Sequence, residues 1–276
     1  MTLELDRRQR AMLAEMNIQV WSPEAPSFPV PSGRVREADA PVPAPPASAG
    51  AASQAPVGRS PSAAAAAGPR PGATLQPRPS GIETMDWDSL QAAVAGCFAC
   101  KLCTSRKNTV FGVGQPPAAP GDAPRVDWLV VGEAPGENED LRGEPFVGQA
   151  GKLLDKMLQA IGQDRRRNVY IANALKCRPP GNRNPEPEEL AQCEPYLRRQ
   201  VELLRPRVIL AMGRFAVQAL LASTEPIGRL RGRVHQYQGV PLVVTYHPAY
   251  LLRSPGEKAK AWADLCLAMA AVARPG

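Results

Sequence analysis

The chain has 276 residues, enough for one or two domains, with 44% hydrophobic residues, 31 prolines and a net charge of +7. It contains no run of roughly 18 apolar residues, and its N-terminus lacks the apolar core of a signal peptide, which argues against a membrane or exported protein. We therefore expect a cytoplasmic protein, and the positive charge is compatible with a polyanionic partner without demonstrating one.

The first 80 residues differ in composition from the rest of the chain. Between Met12 and Trp21, apolar residues recur at helical spacing, which is typical either of a docking peptide for a partner or of an incidental helix. Residues 23–80 are rich in proline and alanine, and such a stretch cannot bury enough apolar surface to offset the entropy of the chain. We predict a possible partner-docking peptide over residues 1–22 and a disordered linker over residues 23–80.

From residue 81 onward, apolar runs with β-branched residues alternate with helical patterns. This alternation is typical of βαβ units and a parallel sheet. The predicted strands cover residues 127–132, 169–175, 207–212 and 241–246, and the predicted helices cover residues 86–96, 150–162, 187–204, 213–222 and 257–273. We predict an α/β fold over residues 81–276, a three-layer α/β/α sandwich with a central four-stranded parallel sheet, preceded by a disordered N-terminal extension.

Four of the six cysteines have a spacing that suggests a metal centre. Cys97 and Cys100 are separated by two residues, so one turn of chain can direct both thiolates at one centre, and Cys177 and Cys193 follow later. Four thiolates suit either a tetrahedral zinc ion or a 4Fe–4S cluster, and spacing alone does not separate these. Cys266 lies in an apolar helical pattern, where a packed core cysteine is the better interpretation.

Two glycine-bounded loops follow the first predicted strand. The segment VVGEAPGENEDLRGEPFVG runs from Val130 to Gly148 and leads into a helical pattern. In open α/β sheets, ligands bind outside the carboxyl ends of the parallel strands, where glycine lets the backbone approach the ligand. Asn173 and His247 also fall at or just after the ends of predicted strands, so we expect them to share one site with these loops.

Together with the cysteines, these loops and four further segments resemble the iron–sulfur-containing family 4 uracil-DNA glycosylases over roughly residues 90 to 270. The further segments are NALKCRPP (173–180), Asn182-Arg183, Arg231-Gly232 and TYHPAYLLR (245–253). The resemblance implies a monofunctional enzyme of base excision repair that flips uracil out of single- or double-stranded DNA and hydrolyses its N-glycosidic bond. It also implies a 4Fe–4S cluster on Cys97, Cys100, Cys177 and Cys193, and we expect a monomer.

The resemblance assigns a role to each residue of the predicted site. The catalytic residues would be His247, Glu133 and Glu139; the base-binding residues would be Ala134, Gly136, Phe146 and Asn173; the DNA-binding residues would be Arg178, Asn182, Arg183, Arg231, Tyr250, Leu251, Leu252 and Arg253.

Each of the main roles has a chemical reason. Phe146 would stack on the flipped base, and the amide of Asn173 matches the O4 and N3–H groups of uracil but not the inverted pattern of cytosine. A donor from His247 at uracil O2 would stabilise the anionic leaving group. Which of Glu133 and Glu139 orients the attacking water, or balances the charge of the sugar cation, stays open.

Residues 250–253 are expected in a loop after His247. Their exposed apolar side chains beside Arg253 suit a wedge that enters the minor groove, although a helix-entry staple would also use leucines. The arginines at 178, 183 and 231 are expected phosphate contacts, as surface arginines often are.

Two other classes of protein compete with the glycosylase. A superfamily member that binds or covalently traps uracil-DNA would carry a histidine before the Arg231-Gly232 pair, and residues 228–230 contain none. An iron–sulfur oxidoreductase that binds a nucleotide would need a G-x-G-x-x-G loop, which GEAPG does not provide.

The N-terminal segment carries a separate and shorter resemblance. Residues 7–21 are similar to the N-terminal peptide of the psi subunit of bacterial DNA polymerase III, which binds the chi subunit. The similarity rests on a basic start, the apolar spacing and an Ile-x-x-Trp ending at Trp21. We therefore expect the chi subunit as a possible partner of residues 5–22, with Trp21 as the anchor.

Overall fold

The structure is a computed structural model that describes Glu15 and residues 75–117 and 126–273. Apart from Glu15, the predicted docking peptide lies outside the described residues, as do residues 23–74 of the predicted linker.

The described residues form a sheet and two layers of helices. The strands are β1 (Val113–Gly114), β2 (Trp128–Gly132), β3 (Val169–Asn173), β4 (Val208–Met212), β5 (Val234–Tyr237) and β6 (Val240–Thr245). The α-helices are α1 (Trp87–Ala95), α2 (Glu137–Arg142), α3 (Gln149–Ala160), α4 (Pro187–Leu204), α5 (Arg214–Leu221), α6 (Ile227–Leu230), α7 (Pro248–Arg253) and α8 (Lys258–Ala273). Short 3-10 helices cover Ile82–Thr84, Lys101–Thr104, Pro180–Asn182 and Pro255–Glu257.

The sheet has the strand order β1-β3-β2-β4-β6-β5. Its four central strands are parallel, as predicted, and their positions match the predicted ones closely. The described chain adds two edge strands that were not predicted, β1 and β5, and both pair antiparallel. The central strands are almost entirely buried and read as continuous apolar runs, whereas β5 alternates between exposed and half-buried residues.

Helices cover both faces of the sheet, which confirms the three-layer α/β/α sandwich. On one face, the side chains of Trp128, Val130 and Ile171 pack against α3 and α8. On the other face, the alternate strand residues, among them Leu129 and Val131, pack against α4 and α5. No helix in the described part of the chain combines the length and the apolarity needed to cross a bilayer.

The strand register brings the carboxyl ends of the central strands to one edge. Gly132 pairs with Asn173 across β2 and β3, and Met212 pairs with Thr245 across β4 and β6. The loops that follow these four residues therefore meet at the same edge, where a doubly wound sheet builds its ligand site.

Candidate active site

A cavity of about 760 Å³ opens at this edge of the sheet. Its size falls in the range of small-molecule sites. The lining includes Glu133, Ala134, Gly136, Glu139, Phe146, Asn173, Asn182, Arg183, Arg214, Tyr246, His247, Tyr250 and Arg253. The catalytic and base-binding residues predicted from the sequence therefore all line one cavity.

Asn173, which lines this cavity, has an unsatisfied acceptor. Its side chain is buried, and Oδ1 accepts no hydrogen bond from the described residues. A buried amide oxygen without a partner is costly, so a donor from a ligand would stabilise it. A Cβ atom at Gly132 would lie 2.4 Å from this oxygen and 2.6 Å from Cζ of Phe146. Glycine at position 132 is therefore what allows Asn173 and Phe146 to approach each other.

Phe146 and His247 form an aromatic pair inside the cavity. Their ring centroids are 5.4 Å apart, with 26° between the planes. The side chain of Phe146 is buried, and its backbone adopts a left-handed conformation with φ of 55°. Residues other than glycine, asparagine and aspartate rarely adopt this conformation, so neighbouring groups must hold it.

The imidazole of His247 has its hydrogen-bonding roles set by its surroundings. Nδ1 accepts a hydrogen bond of 3.2 Å from the backbone N–H of Ala249 in the first turn of α7. Burial and, to a smaller extent, the charge of Arg253 lower the pKa of His247 to about 4, while Glu139 opposes the shift. The ring is therefore neutral at pH 7, and with Nδ1 as acceptor the proton resides on Nε2, which is available as a donor.

Glu133 is tied to the N-terminus of α5. Its Oε1 accepts a hydrogen bond of 3.1 Å from the backbone N–H of Phe215. Burial raises the pKa of Glu133, and the backbone N–H groups of Phe215 and Arg214 oppose this shift. The helix N-terminus is a favourable place for a carboxylate, so Glu133 is held in the cavity wall by α5.

Glu139 joins the two glycine-bounded loops. Its Oε2 accepts from the N–H of Gly136, and its Oε1 accepts from Val147 at 2.9 Å and from Gly148 at 3.2 Å. Three backbone donors fix this carboxylate, and it in turn fixes the loop that carries Phe146. Glu139 is thus engaged by the protein more fully than Glu133.

The predicted DNA-contact arginines differ in their engagement. Arg178 donates to Asn182 at 2.8 Å, and Arg183 makes two hydrogen bonds to the buried carboxylate of Glu189. Arg231 is bound by both carboxylate oxygens of Asp264, at 3.0 and 2.9 Å. Arg231 is therefore held by a buried ion pair rather than presented as a free phosphate contact.

The segment after His247 differs from its prediction. Residues 248–253 form helix α7 and not a loop, because Pro248 stands at the first helical position and needs no N–H donor there. Leu251 is fully buried in the core, so the expectation that it forms part of an exposed wedge is wrong. Tyr250 and Leu252 are exposed, by 38% and 45% respectively.

The four predicted cysteine ligands line one small cavity beside the sheet. Cys97 and Cys100 follow α1, Cys177 follows β3, and Cys193 lies on α4. Burial raises the pKa of Cys177 to about 12. Arg106 opposes this shift, because its guanidinium donates a hydrogen bond of 3.0 Å to Sγ of Cys177. No three His, Cys, Asp or Glu side chains of the described residues form a group arranged to hold a single metal ion. Cys103 lines the same cavity, which therefore has five thiols around it. A polynuclear cluster binds thiolates at separate iron atoms, and this set includes the four thiols that such a cluster needs.

Three residues around the site were not singled out by the sequence analysis. Arg214 lines the main cavity, with its guanidinium 4.5 Å above the ring of Phe215. Arg165 donates to the carbonyl oxygen of Phe146 at 3.1 Å. Lys176 is buried, lines the cysteine cavity and donates to the carbonyl oxygen of Asn173 at 2.9 Å. Burial lowers the pKa of Lys176 to about 7. The position of Arg214, two residues after the end of β4, could have singled it out, whereas the other two contacts depend on tertiary structure alone.

The fold and the site together define a class of protein. A doubly wound sheet carries a cavity with an aromatic ring, an unsatisfied amide and a neutral imidazole, which suits a flat polar heterocycle such as a nucleobase.

Comparison with known proteins specifies this class further. The family model of the uracil DNA glycosylase superfamily matches residues 120–266. The type-4 uracil-DNA glycosylase of Archaeoglobus fulgidus is 44% identical over 61% of this chain and 84% of that protein. The type-4 enzyme of Pyrobaculum aerophilum is 40% identical over 66% of this chain and 93% of that protein, and the one of Thermotoga maritima is 43% identical over 58% and 80%. The chain belongs to the uracil-DNA glycosylase superfamily and, within it, to the type-4 family.

Proposed function

We propose that this protein is a monofunctional uracil-DNA glycosylase of base excision repair, which removes uracil from DNA and leaves an abasic site. The observation that carries this function is the unsatisfied Oδ1 of Asn173, buried in the cavity beside the ring of Phe146. A uracil base that stacks on Phe146 brings its N3–H donor to an oxygen that otherwise has none.

Asn173 reads the edge of the base. Its Oδ1 accepts from uracil N3–H, and its Nδ2 donates to uracil O4. Cytosine presents an acceptor at N3 and a donor at C4, so it would leave both groups of the buried amide unpaired. Such a mismatch in a buried site is the basis of strong discrimination between bases.

His247 stabilises the leaving group. As the bond between C1′ and N1 breaks, its electron pair moves to uracil, and the negative charge is shared with O2. The Nε2–H of the neutral imidazole donates to this oxygen in a site with little water, which favours the transition state over the ground state. Water then adds to C1′ of the sugar cation and loses a proton to solvent, which gives the abasic site, and the uracil anion takes up a proton from solvent when it leaves.

Glu133 is the better candidate to orient this water. Its carboxylate is bound from one side, by the backbone at the start of α5, with Oε1 accepting from Phe215. Glu139 is occupied on both oxygens by the backbone of the loops and acts mainly to position them. Both carboxylates also balance the positive charge that develops on the sugar.

The rim of the cavity binds DNA in this proposal. Asn182, Arg183 and Arg253 line the cavity, Arg178 is hydrogen-bonded to Asn182, and the exposed side chains of Tyr250 and Leu252 project from α7. Arginine and asparagine contact phosphates, while the two apolar side chains fill the space in the duplex that the flipped nucleotide leaves.

The cysteine cavity is proposed to hold a 4Fe–4S cluster on Cys97, Cys100, Cys177 and Cys193. When bound, the cluster supplies thiolate–iron bonds that cross-link the segment after α1, the segment after β3 and α4. The cluster would act on the fold, because the proposed catalytic residues line a different cavity.

Release of uracil from a labelled single-stranded oligonucleotide tests the function. We expect free uracil and an alkali-labile abasic site, with many turnovers per protein. Stoichiometric binding without release would support the alternative of a uracil-DNA-binding protein, and a covalent adduct would support a trapping relative. Neither product nor binding would reject all three.

We further propose that the protein acts as a monomer and that residues 5–22 dock on the chi subunit of DNA polymerase III. A tether would raise the local concentration of the glycosylase near a replication complex. Titration of a labelled peptide of residues 1–25 with chi tests this proposal. Absence of binding at tens of micromolar, or binding that Trp21→Ala leaves unchanged, would reject it.

A further inference from the structure

The loop that carries Phe146 stores backbone strain. Phe146 has a φ of 55°, and the aromatic side chain gains no local hydrogen bond that would favour the left-handed region. Such a conformation is energetically costly and persists only where the surrounding structure imposes it. The ring that would stack on the base therefore depends on groups outside the loop.

Arg165 binds the strained residue directly. Its Nη2 donates to the carbonyl oxygen of Phe146 at 3.1 Å, and its Nε donates to Oδ1 of Asp155 on α3 at 2.7 Å. The guanidinium is planar and carries several donors in fixed directions, so it can hold a carbonyl and a carboxylate at once. Arg165 thereby ties the loop to the helix that follows it.

The first turn of α3 leaves room for this carbonyl. A Cβ atom at Gly151 would lie 1.7 Å from the oxygen of Phe146, so any other residue there would push the carbonyl away. The backbone N–H groups of the next two residues, Val147 and Gly148, donate hydrogen bonds to the carboxylate of Glu139. The loop is therefore held from its carbonyl side by Arg165 and from its N–H side by Glu139.

We propose that Arg165 is a positioning residue for base recognition, which fixes the Phe146 ring for stacking without touching the substrate. The inference rests on the proposed function, since it assigns a role to the stacking ring. Arg165 does not line the cavity. Its effect on the reaction must therefore pass through Phe146.

A double-mutant cycle tests this inference. Arg165→Met keeps the length of the side chain but removes its donors, and we expect kcat/KM for uracil release to fall roughly ten- to a hundredfold, the scale of a misplacement of ~1 Å. In a Phe146→Ala background, the same substitution should have no further effect, because the group it positions is gone. An equal loss in both backgrounds, or no loss in either, would overturn the inference.

Matched variants separate positioning from stability. Arg166→Met removes the neighbouring exposed arginine and should leave both kcat and KM unchanged. Arg165→Lys restores one donor and should recover part of the loss. If Arg165→Met fails to fold, Asp155→Asn is the alternative variant, because it weakens the hydrogen bond that holds the guanidinium. We expect Asp155→Asn to lower kcat/KM in the same way but by less, and an unchanged kcat/KM in this variant would count against the inference.

Binding of free uracil distinguishes a failure of the inference from a failure of the proposed function. We expect Arg165→Met to weaken uracil binding measured by calorimetry about as much as it weakens kcat/KM. Wild-type protein that binds uracil but releases none from DNA would overturn the function alone. An Arg165→Met variant with wild-type affinity for uracil would overturn the inference alone.

Discussion

The ring of Phe146 stacks on the imidazole of His247, with 5.4 Å between the ring centroids. The proposed platform for the base and the proposed donor to its O2 atom are therefore one packed unit, although 100 residues of sequence separate them. Because the rings touch, a substitution that removes the ring of Phe146 also removes a contact that orients His247. Base binding and leaving-group stabilisation are then expected to fall together in such a variant. The effect of a single substitution at Phe146 or His247 therefore cannot be assigned to one of these two roles alone.

The first prediction concerns the chemical step. Replacement of His247 by alanine removes the Nε2–H donor, and we expect the single-turnover rate of uracil release to fall about 10²–10³-fold with little change in DNA affinity. His235→Ala is the matched control, since this histidine lies on β5 with its Nε2 2.7 Å from the carbonyl oxygen of Leu230. A His247→Ala variant with a normal single-turnover rate would exclude the donor role.

The second prediction concerns pH. The folded pKa of His247, about 4, lies below its ordinary value of 6.5, so the unfolded chain takes up the proton first. The free energy of unfolding should therefore decrease as the pH falls from about 6.5 to about 4. Urea unfolding at several pH values should show a smaller decrease for His247→Gln than for the wild type. An identical slope for both proteins would show that this imidazole is not kept neutral by the fold.

The third prediction concerns base selectivity. Asn173→Asp replaces the donor Nδ2 with a second acceptor, and we expect the rate on uracil to fall much more than the rate on cytosine, so that selectivity narrows. Competition between labelled uracil and cytosine oligonucleotides measures the ratio. Asn182→Asp is the control, because Asn182 lines the same cavity but pairs with Arg178, and it should change DNA affinity only. Unchanged selectivity in Asn173→Asp would reject edge reading by this amide.

The fourth prediction concerns space in the cavity. Gly132→Ala would place a methyl group 2.4 Å from Oδ1 of Asn173 and 2.6 Å from Cζ of Phe146, so one of them must move. We expect at least a tenfold loss of affinity for free uracil, on the order of 1.4 kcal/mol. Gly256→Ala, where an added Cβ meets nothing within 4 Å, should have no effect. Normal uracil affinity in Gly132→Ala would show that the base lies elsewhere.

The fifth prediction concerns the metal. Protein purified without oxygen should contain about four irons per chain and absorb in the visible range. Cys177→Ala should lose iron, whereas Cys266→Ala should retain it, because Cys266 packs against the apolar core near α3 and α8. Arg106→Met should shorten the lifetime of the bound cluster in air, since it removes the donor to Cys177 Sγ. Stoichiometric zinc without iron would contradict the prediction.

The central strands could be predicted from the sequence because each is a short, fully buried apolar run. The edge strands could not, since β1 has only two residues and β5 alternates with polar side chains. Helix α7 was not predicted because it has six residues, too few for a periodic pattern. Without the helix, the burial of Leu251 could not be predicted either. The site residues were predicted through motifs at strand ends, and those predicted to be catalytic or base-binding line one cavity. The ion pair of Arg231 with Asp264 and the bond from Arg165 to Phe146 join distant parts of the chain, where no local pattern reports them.

The hydrogen bond from Phe215 to Glu133 has a practical consequence for experiments. The amide proton of Phe215 lies at the start of α5 and points at a carboxylate of the cavity, so its chemical shift depends on whether that carboxylate is charged and where it points. A single backbone resonance, observed by NMR without any label in the substrate, would therefore report when Glu133 loses its proton and when a ligand arrives. The backbone amide resonance of Phe215, the residue after Arg214 in the cavity wall, can thus serve as an intrinsic NMR probe of the site.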